Sequence, residues 1–315
     1  MSTSITKIGI IQNAPLPGDF SVNLRAIVQG YRECLDHGAD LVVAPAAALC
    51  GVEPHNLVTR RSYINQTKAA LESLSRELGH APLLLAAYTM TIGDDELYVG
   101  MAGDGDEETD PWMQHDRSIQ LLPYLLEKDS VTELDNNSSV LINDSNFYVD
   151  TSDEELLPAE DYDFIVRMPC TPWYASSATA DEEARSWEAT MTGSIIICCR
   201  PVGSVGGNVY GGGSGVYSPQ GETLQRLPFF ETAAKVVDIS RPAVAKHLPQ
   251  EEELMCGALE RGIRDNVRNN GFTGVCIPMD DDNSALLAVL CIEALGVSNV
   301  SGISFDKENK LAAKL

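Results

Sequence analysis

The sequence predicts an α/β fold. Short apolar runs that read as strands alternate with amphipathic stretches of helical period, and glycine or proline marks most of the joins. The chain has 315 residues, 44% of them hydrophobic, enough for one large domain or two ordinary ones with a sizeable core. It carries 46 acidic against 22 basic residues, a formal net charge of -24. Such a charge repels nucleic acid and anionic membrane, so neither is expected as a partner.

The elements follow in chain order. "KIGIIQNA" reads as a first strand. In "SVNLRAIVQGYRECLDHG", Leu24, Ile27, Val28, Tyr31 and Leu35 recur at helical spacing, and Gly38 ends the helix. "ADLVVAP" is the next strand, "INQTKAALESLSRELGH" a second helix and "APLLLAAYTM" a third strand. Further on, "SVLIN", "FIVRMP", "SIIICCRPVG" and "GSGVYSP" are strand-like, and "SPQGETLQRLP" has the turn chemistry of a hairpin. Helices are expected over residues 181–192 and 251–269. Two acidic stretches, residues 103–112 and 149–163, read as solvated surface loops; an acidic docking surface is the alternative.

Near residues 242–249 the character changes, and "ISRPAVAKHLPQEEEL" reads as a linker running into a helix. This divides the chain into a domain at 1–245 and a segment at 246–315. In that segment "GFTGVCIP", "NSALLAVLCIEALG" and "VSNVSGISF" form one βαβ unit. A single unit of this kind leaves its faces uncovered, so it is expected to pack on the first domain or on another chain.

The 8 cysteines include the adjacent Cys198 and Cys199; the rest are scattered without a CxxC pair, so no zinc site is expected. Reduced, buried thiols in a cytoplasmic protein are the expectation. "MSTSITKIGIIQ" lacks the apolar core of a signal peptide, and no apolar run is long enough to span a bilayer.

Three stretches, taken in order, resemble the glutamine-dependent NAD synthetases. They are "KIGIIQNAPLPGDFSVNLRAI", "CRPVGSVGGNVYGGGSGVYSPQGETLQRLPFFE" and "EEELMCGALERGIRDNVRNNGFTGV". Those enzymes join a nitrilase-superfamily glutaminase to a synthetase of the PP-loop ATPase type. The resemblance covers nearly the whole chain but only the opening of the second domain. It implies a nitrilase-like four-layer α-β-β-α sandwich with a C-terminal βαβ appendage, assembled as a homodimer or larger oligomer. With the rest of the synthetase domain absent, it also implies that the chain makes no NAD.

Nitrilase-type amide hydrolysis needs a cysteine thiolate to attack, a glutamate as general base and a lysine to steady the tetrahedral intermediate. The family's glutamate lies in a loop of the form P-E-L-A-L-T-G. Here "PAAALCG" puts Ala46 there. Its lysine precedes an L-P pair by three residues, which in "SIQLLPY" is Ile119. Its cysteine lies in I-C-E-D, which in "LINDSN" gives Asn143, followed by Asp144. By this resemblance all three groups are lost. Cys170 and Cys50 are candidates for a displaced nucleophile and His55 for a base. Small buried thiols and a loop histidine are the preferred readings.

The PP-loop signature S-G-G-x-D-S is replaced in the same way. Met279 stands for the serine, Asp280 and Asp281 for the glycines, and Asp282, Asn283 and Ser284 follow. Three carboxylates repel a polyphosphate but make a good helix start. A hard-cation reading of this cluster ranks below that helix cap. No cofactor or metal is expected. The leading functional expectation is a non-catalytic scaffold, regulator or oligomerising subunit that binds itself or a genuine NAD synthetase subunit. The alternatives are a module binding a small amide or carboxylate, and a carbon–nitrogen hydrolase rebuilt on Cys170 or Cys50.

Overall fold

The computed structural model describes residues 5–92, 117–152, 157–243 and 247–304. β1 (Lys7–Gln12), α1 (Phe20–Asp36), β2 (Leu41–Ala46), α2 (Arg61–Glu77), β3 (Leu83–Ile92), β4 (Arg117–Glu127) and β5 (Ser130–Glu133) build the first layer pair. β6 (Ser138–Ile142), β7 (Ser145–Asp150), β8 (Phe164–Arg167), α3 (Ser177–Thr192), β9 (Ile195–Cys198), β12 (Gly215–Tyr217) and β13 (Thr223–Arg226) build the second. Between β9 and β12, β10 (Val202–Val205) and β11 (Asn208–Gly211) form a separate antiparallel ribbon. β14 (Ala233–Asp238) returns to the first sheet.

The first sheet runs β14-β1-β2-β3-β4-β5 and the second β13-β12-β9-β8-β7-β6. Strands β1, β2 and β3 are parallel to one another, as are β7, β8 and β9. All six residues of β2 are buried, as expected of a parallel strand covered on both faces.

Side-chain alternation sorts three apolar layers. Ile8, Ile10, Leu41, Val43 and Leu84 of the first sheet meet Phe147, Val149, Phe164, Val166 and Ile197 of the second. On the outer face of the first sheet, Val42, Leu83 and Leu85 pack with Ile27, Tyr31, Leu71 and Leu74 of the two helices. On the outer face of the second, Tyr148, Ile165 and Ile196 pack with Ala189 of α3. The order of layers is therefore helix, sheet, sheet, helix.

α1 begins at Asp19, whose carboxylate accepts from the Val22 N–H. Its buried stripe includes Ile27, Val28 and Tyr31, while Leu24 and Leu35, expected in the same face, are only partly covered. α3 begins at Ser177, four residues before the expected start.

After the second sheet come α4 (Glu251–Asn269), β15 (Val275–Pro278), α5 (Asp282–Leu295) and β16 (Val300–Ile303). β15 and β16 pair in parallel, giving the expected βαβ unit. It packs on the body through α4, which lies against β10 and β11. Leu254 and Ala258 meet Phe230 there. Asp265 accepts from the Ser204 N–H at 2.8 Å, and Arg261 donates to the Phe230 oxygen at 3.0 Å.

Two expectations change. The stretch 103–112 lies outside the described residues. In 149–163, Val149, Asp150 and Thr151 are buried rather than solvated, because they finish β7 and its first loop residue.

Candidate functional site

Within each sheet the parallel strands direct their C-terminal ends to one side, where α/β folds present their chemistry. β2 ends at Ala46, fully buried in the layer between the sheets and in register with Ala86 of β3. The turn beyond it is firmly held. Ala47 has φ 57, Asn13 donates to the Ala48 oxygen at 3.1 Å, and Asn23 donates to the Leu49 oxygen at 3.0 Å. Gly51 has φ 96 and approaches the main chain of Pro17 so closely that a Cβ would lie 2.3 Å from its Cα. The scaffold of a presenting loop is thus complete, and its presenting position carries a methyl group.

Ile119 lies on β4 opposite Met90 and is exposed. It shares the alternation face of Leu121, which borders the inter-sheet layer. Asn143 is placed elsewhere. With Asp144 it forms the two-residue turn between β6 and β7, at φ 48 and 61, the signature of a type I′ hairpin. It therefore sits at the start of β7, about 20 Å from that strand's other end. The strand end that meets β4 belongs to Asp150, Thr151 and Ser152. Sequence reasoning missed it because the carboxylates of "VDTSDEE" imitate a surface loop. The Asn143–Asp144 pair between alternating runs was the available signal.

Thr151 donates its hydroxyl to the Leu121 oxygen at 2.7 Å, and its N–H donates to Asn136 Oδ1 at 2.8 Å. Asp150 is buried and ion-paired with Arg167 Nη1. Arg167 Nε and Nη2 donate to Glu188 Oε1 at 2.9 and 2.6 Å, and Arg185 Nη1 pairs with the same carboxylate. Burial alone would weaken the Arg167 charge, but Glu188 and Asp150 raise its pKa above the ordinary value. Ala46, Ile119 and Thr151 carry between them no thiol, no carboxylate and no ammonium group.

Cys50 is fully buried, and burial pushes its thiol up to about 11, far from a thiolate at neutral pH. His55 is exposed at φ 43, with Nε2 3.7 Å from Glu53 Oε2. Cys170 is half-buried just beyond β8 and packs against two apolar layers. It lies near Tyr210, whose hydroxyl donates to Glu53 Oε1 at 2.6 Å. Among the described residues, Cys50 and His55 are not joined as a nucleophile–base pair.

At the opening of α5, Asp281 is the N-cap. Its Oδ1 accepts from the Ser284 N–H and hydroxyl, both at 2.8 Å, and these bonds lower its pKa. Met279 is buried, while Asp280, Asp282 and Asn283 are exposed. Among the described residues no group of three or more His, Cys, Asp or Glu is placed to hold a metal ion. None of their helices is long and apolar enough to cross a membrane.

Comparison with known proteins agrees with the resemblance drawn from the sequence. No family model matches the chain. The chain is 24% identical over 350 residues to a glutamine-dependent NAD(+) synthetase of Thermotoga maritima, covering 94% of this chain and 60% of the relative. It is 23% identical over 325 residues to one from Rhodobacter capsulatus, covering 93% and 56%. The chain thus spans somewhat over half the length of these relatives. Among solved structures, the glutamine-dependent NAD+ synthetase of Acinetobacter baumannii in complex with ADP superimposes with a TM-score of 0.79 at 15% identity. That match covers 99% of this chain and 62% of the other. An amidase of the nitrilase superfamily from Nesterenkonia superimposes with a TM-score of 0.58 at 17% identity, over 80% of this chain and 94% of the amidase. The nitrilase-like α/β fold expected from the sequence is the fold of this chain.

Proposed function

We propose that the chain is a non-catalytic NAD synthetase-like protein that acts as a regulator, scaffold or oligomerising subunit. One observation carries the reading: Ala46, Ile119 and Thr151 carry between them no thiol, no carboxylate and no ammonium group. Loss of a nucleophile alone lowers turnover on the order of a millionfold in well-studied hydrolases. The partner is a second copy of this chain or a subunit of a genuine NAD synthetase. In support, α5 is apolar around much of its circumference and leaves Leu286, Leu287 and Val289 exposed. Free cysteines, five of them buried, suit a cytoplasmic location.

The test is ammonia release from glutamine and a panel of small amides by concentrated purified protein. Release no greater than that of a heat-killed control is the expected result. A steady release that Cys170→Ala abolishes would overturn the reading in favour of a hydrolase rebuilt on that thiol. For the partner, copurification from the native host is expected to recover a synthetase subunit or a homo-oligomer. A lone monomer would count against it.

A further inference from the structure

We infer that a groove along the open edge of β15 receives an extended, uncharged strand of a partner protein. The inference deepens the reading of the chain as a subunit that holds a partner, and it rests on that reading. Among the described residues, β15 pairs with β16 alone, in a parallel ladder of four residue pairs. Parallel sheets are ordinarily larger and covered on both faces, and a two-stranded sheet is marginal by itself. A groove of about 730 Å³ runs beside this one. Val275, Cys276 and Ile277, three consecutive residues of β15, line it, and no residue of β16 does. Neighbouring side chains of a strand point to opposite faces, so the groove follows the edge of β15 rather than one face. Neither the helix start at Asp280–Ser284 nor Ala46, Ile119 and Thr151 line it.

The edge is chemically open. On the β16 side, the Met279 N–H donates to the Ile303 oxygen at 2.8 Å. Backbone groups of successive strand residues turn to alternate sides. Cys276 therefore turns its N–H and carbonyl, and Pro278 its carbonyl, toward the groove. Pro278 has no N–H and ends the ladder there. Over Val275–Ile277 the edge carries none of the devices that blunt one: no charge, no proline and no bulge in the register with β16. The outer edge of β16 is open as well, but this groove does not reach it.

The walls select the occupant. Met255, Leu259 and Ile263 stand four residues apart on α4 and give the groove an apolar stripe, to which α5 adds Leu287. Met255, Leu259 and Leu287 are 45%, 49% and 44% exposed, so these apolar side chains are only half covered. Not one lining residue is charged, in a chain with 46 acidic and 22 basic residues. A charged segment would lose hydration here and gain no ion pair. Copies of this chain, at a net charge of -24 each, repel one another, so a second copy is the poorer occupant of this groove. A strand of four or five residues matches β15, which is about 13 Å long. Its main chain bonds to Cys276 and Pro278, while every second side chain packs against the α4 stripe. β-branched residues suit those inward positions.

The test uses the full chain and a fluorophore-labelled, blocked hexapeptide of alternating threonine and isoleucine. Fluorescence anisotropy at about 0.15 M salt is expected to show saturable binding with a dissociation constant below about 1 mM. With proline at two adjacent central positions, the peptide loses an N–H on either side of the strand and should bind roughly tenfold more weakly or worse. Leu259→Glu puts a charge on a half-exposed wall position and should weaken the parent peptide by a similar factor. Bound peptide should also slow the modification of Cys276 by a disulfide reagent and leave Cys256, exposed but outside the groove, unaffected. If Leu259→Glu fails to fold, this protection in the parent protein decides. No saturation up to about 1 mM overturns the inference, as does equal binding of the proline peptide, indifference to Leu259→Glu or equal protection of both thiols. Light scattering of the chain alone should show no assembly that Leu259→Glu dissolves. A dimer dissolved by that change would put a second copy in the groove and overturn the partner strand, while the oligomerising reading would stand. Ammonia release is read separately, so a failure of the non-catalytic reading stays distinct from a failure here.

Discussion

The Thr151 hydroxyl donates to the main-chain oxygen of Leu121 at 2.7 Å, tying the end of β7 in one sheet to β4 in the other. In a hydrolase of this architecture, a reactive group would be presented where the two sheets meet. Here the position is used to join them. The hydroxyl is already bonded to a carbonyl, and the end of β2 offers Ala46 where a base would be needed to take its proton. Thr151→Cys is therefore expected to release no ammonia from glutamine above the parent protein. Release from this single variant would show that a base is present elsewhere in the corner.

Restoring the carboxylate should be costly for the fold. Ala46 is fully buried between the sheets, so Ala46→Glu both overfills the layer and buries a charge. A loss of about 3 kcal/mol or more is expected in urea denaturation. A loss below about 1 kcal/mol would mean that the layer still has room for the side chain.

The buried ion network should behave as a unit. Arg167→Ala leaves Asp150 and Glu188 without their shared cation and is expected to cost about 3–5 kcal/mol. Adding Asp150→Ala to that variant should cost less than the sum of the single changes. Strict additivity, measured by a double-mutant cycle, would show that the two side chains are not coupled.

Thiol chemistry gives a readout across the whole chain. Cys256 and Cys276 are exposed, whereas Cys34, Cys50, Cys198, Cys199 and Cys291 are buried. Burial pushes Cys34 up to about 12 and Cys50 up to about 11, so at pH 8 about one in a thousand Cys50 groups is a thiolate. Titration with a disulfide reagent at that pH should modify Cys256 and Cys276 rapidly and the five buried thiols only after unfolding. Rapid modification of Cys50 in the folded protein would contradict its placement.

The N-cap of α5 sets a pH dependence. Hydrogen bonds from Ser284 lower the Asp281 pKa in the folded state. Its contribution is therefore fully present above the ordinary aspartate value of about 4 and is lost as pH falls through the lower folded value. Asp281→Ala should reduce the melting temperature at pH 7, and the gap from the parent should narrow on acidification below about pH 4. A gap independent of pH would mean that the carboxylate's charge plays no part.

Much of this architecture was legible in the sequence, and the exceptions have physical causes. Helix 251–269 was readable to the residue because three glutamates open it and the apolar pairs Leu254 with Ala258 and Ile263 with Val267 each stand four residues apart. β7 was hidden because its outward alternation positions hold Tyr148 and Asp150, and a carboxylate in a strand looks solvated until Arg167 is seen beside it. That misreading put Asn143 at a strand end, where the structure has the β6–β7 turn. The β10–β11 ribbon was hidden by its own glycines, although Gly206 and Gly207, both at positive φ, are the turn that makes it. A cavity lined by Arg167, Arg185 and Arg200 at the ends of β8 and β9 could not be read at all. Its residues come from separate strands and a helix and converge only in three dimensions.

The pairing of β1 with β14 has a consequence for synthesis. Lys7 finds its strand partner in Asp238, so one edge of the first sheet waits for nearly the whole body to be translated. At about 5–20 residues per second, the nascent chain carries β1 with an open edge for tens of seconds. An unpaired edge of that kind is a template for association with other chains. Polysomes translating this protein would then bring several such edges close together, and a ribosome-bound chaperone or slow assembly of the first sheet becomes part of how the molecule is made.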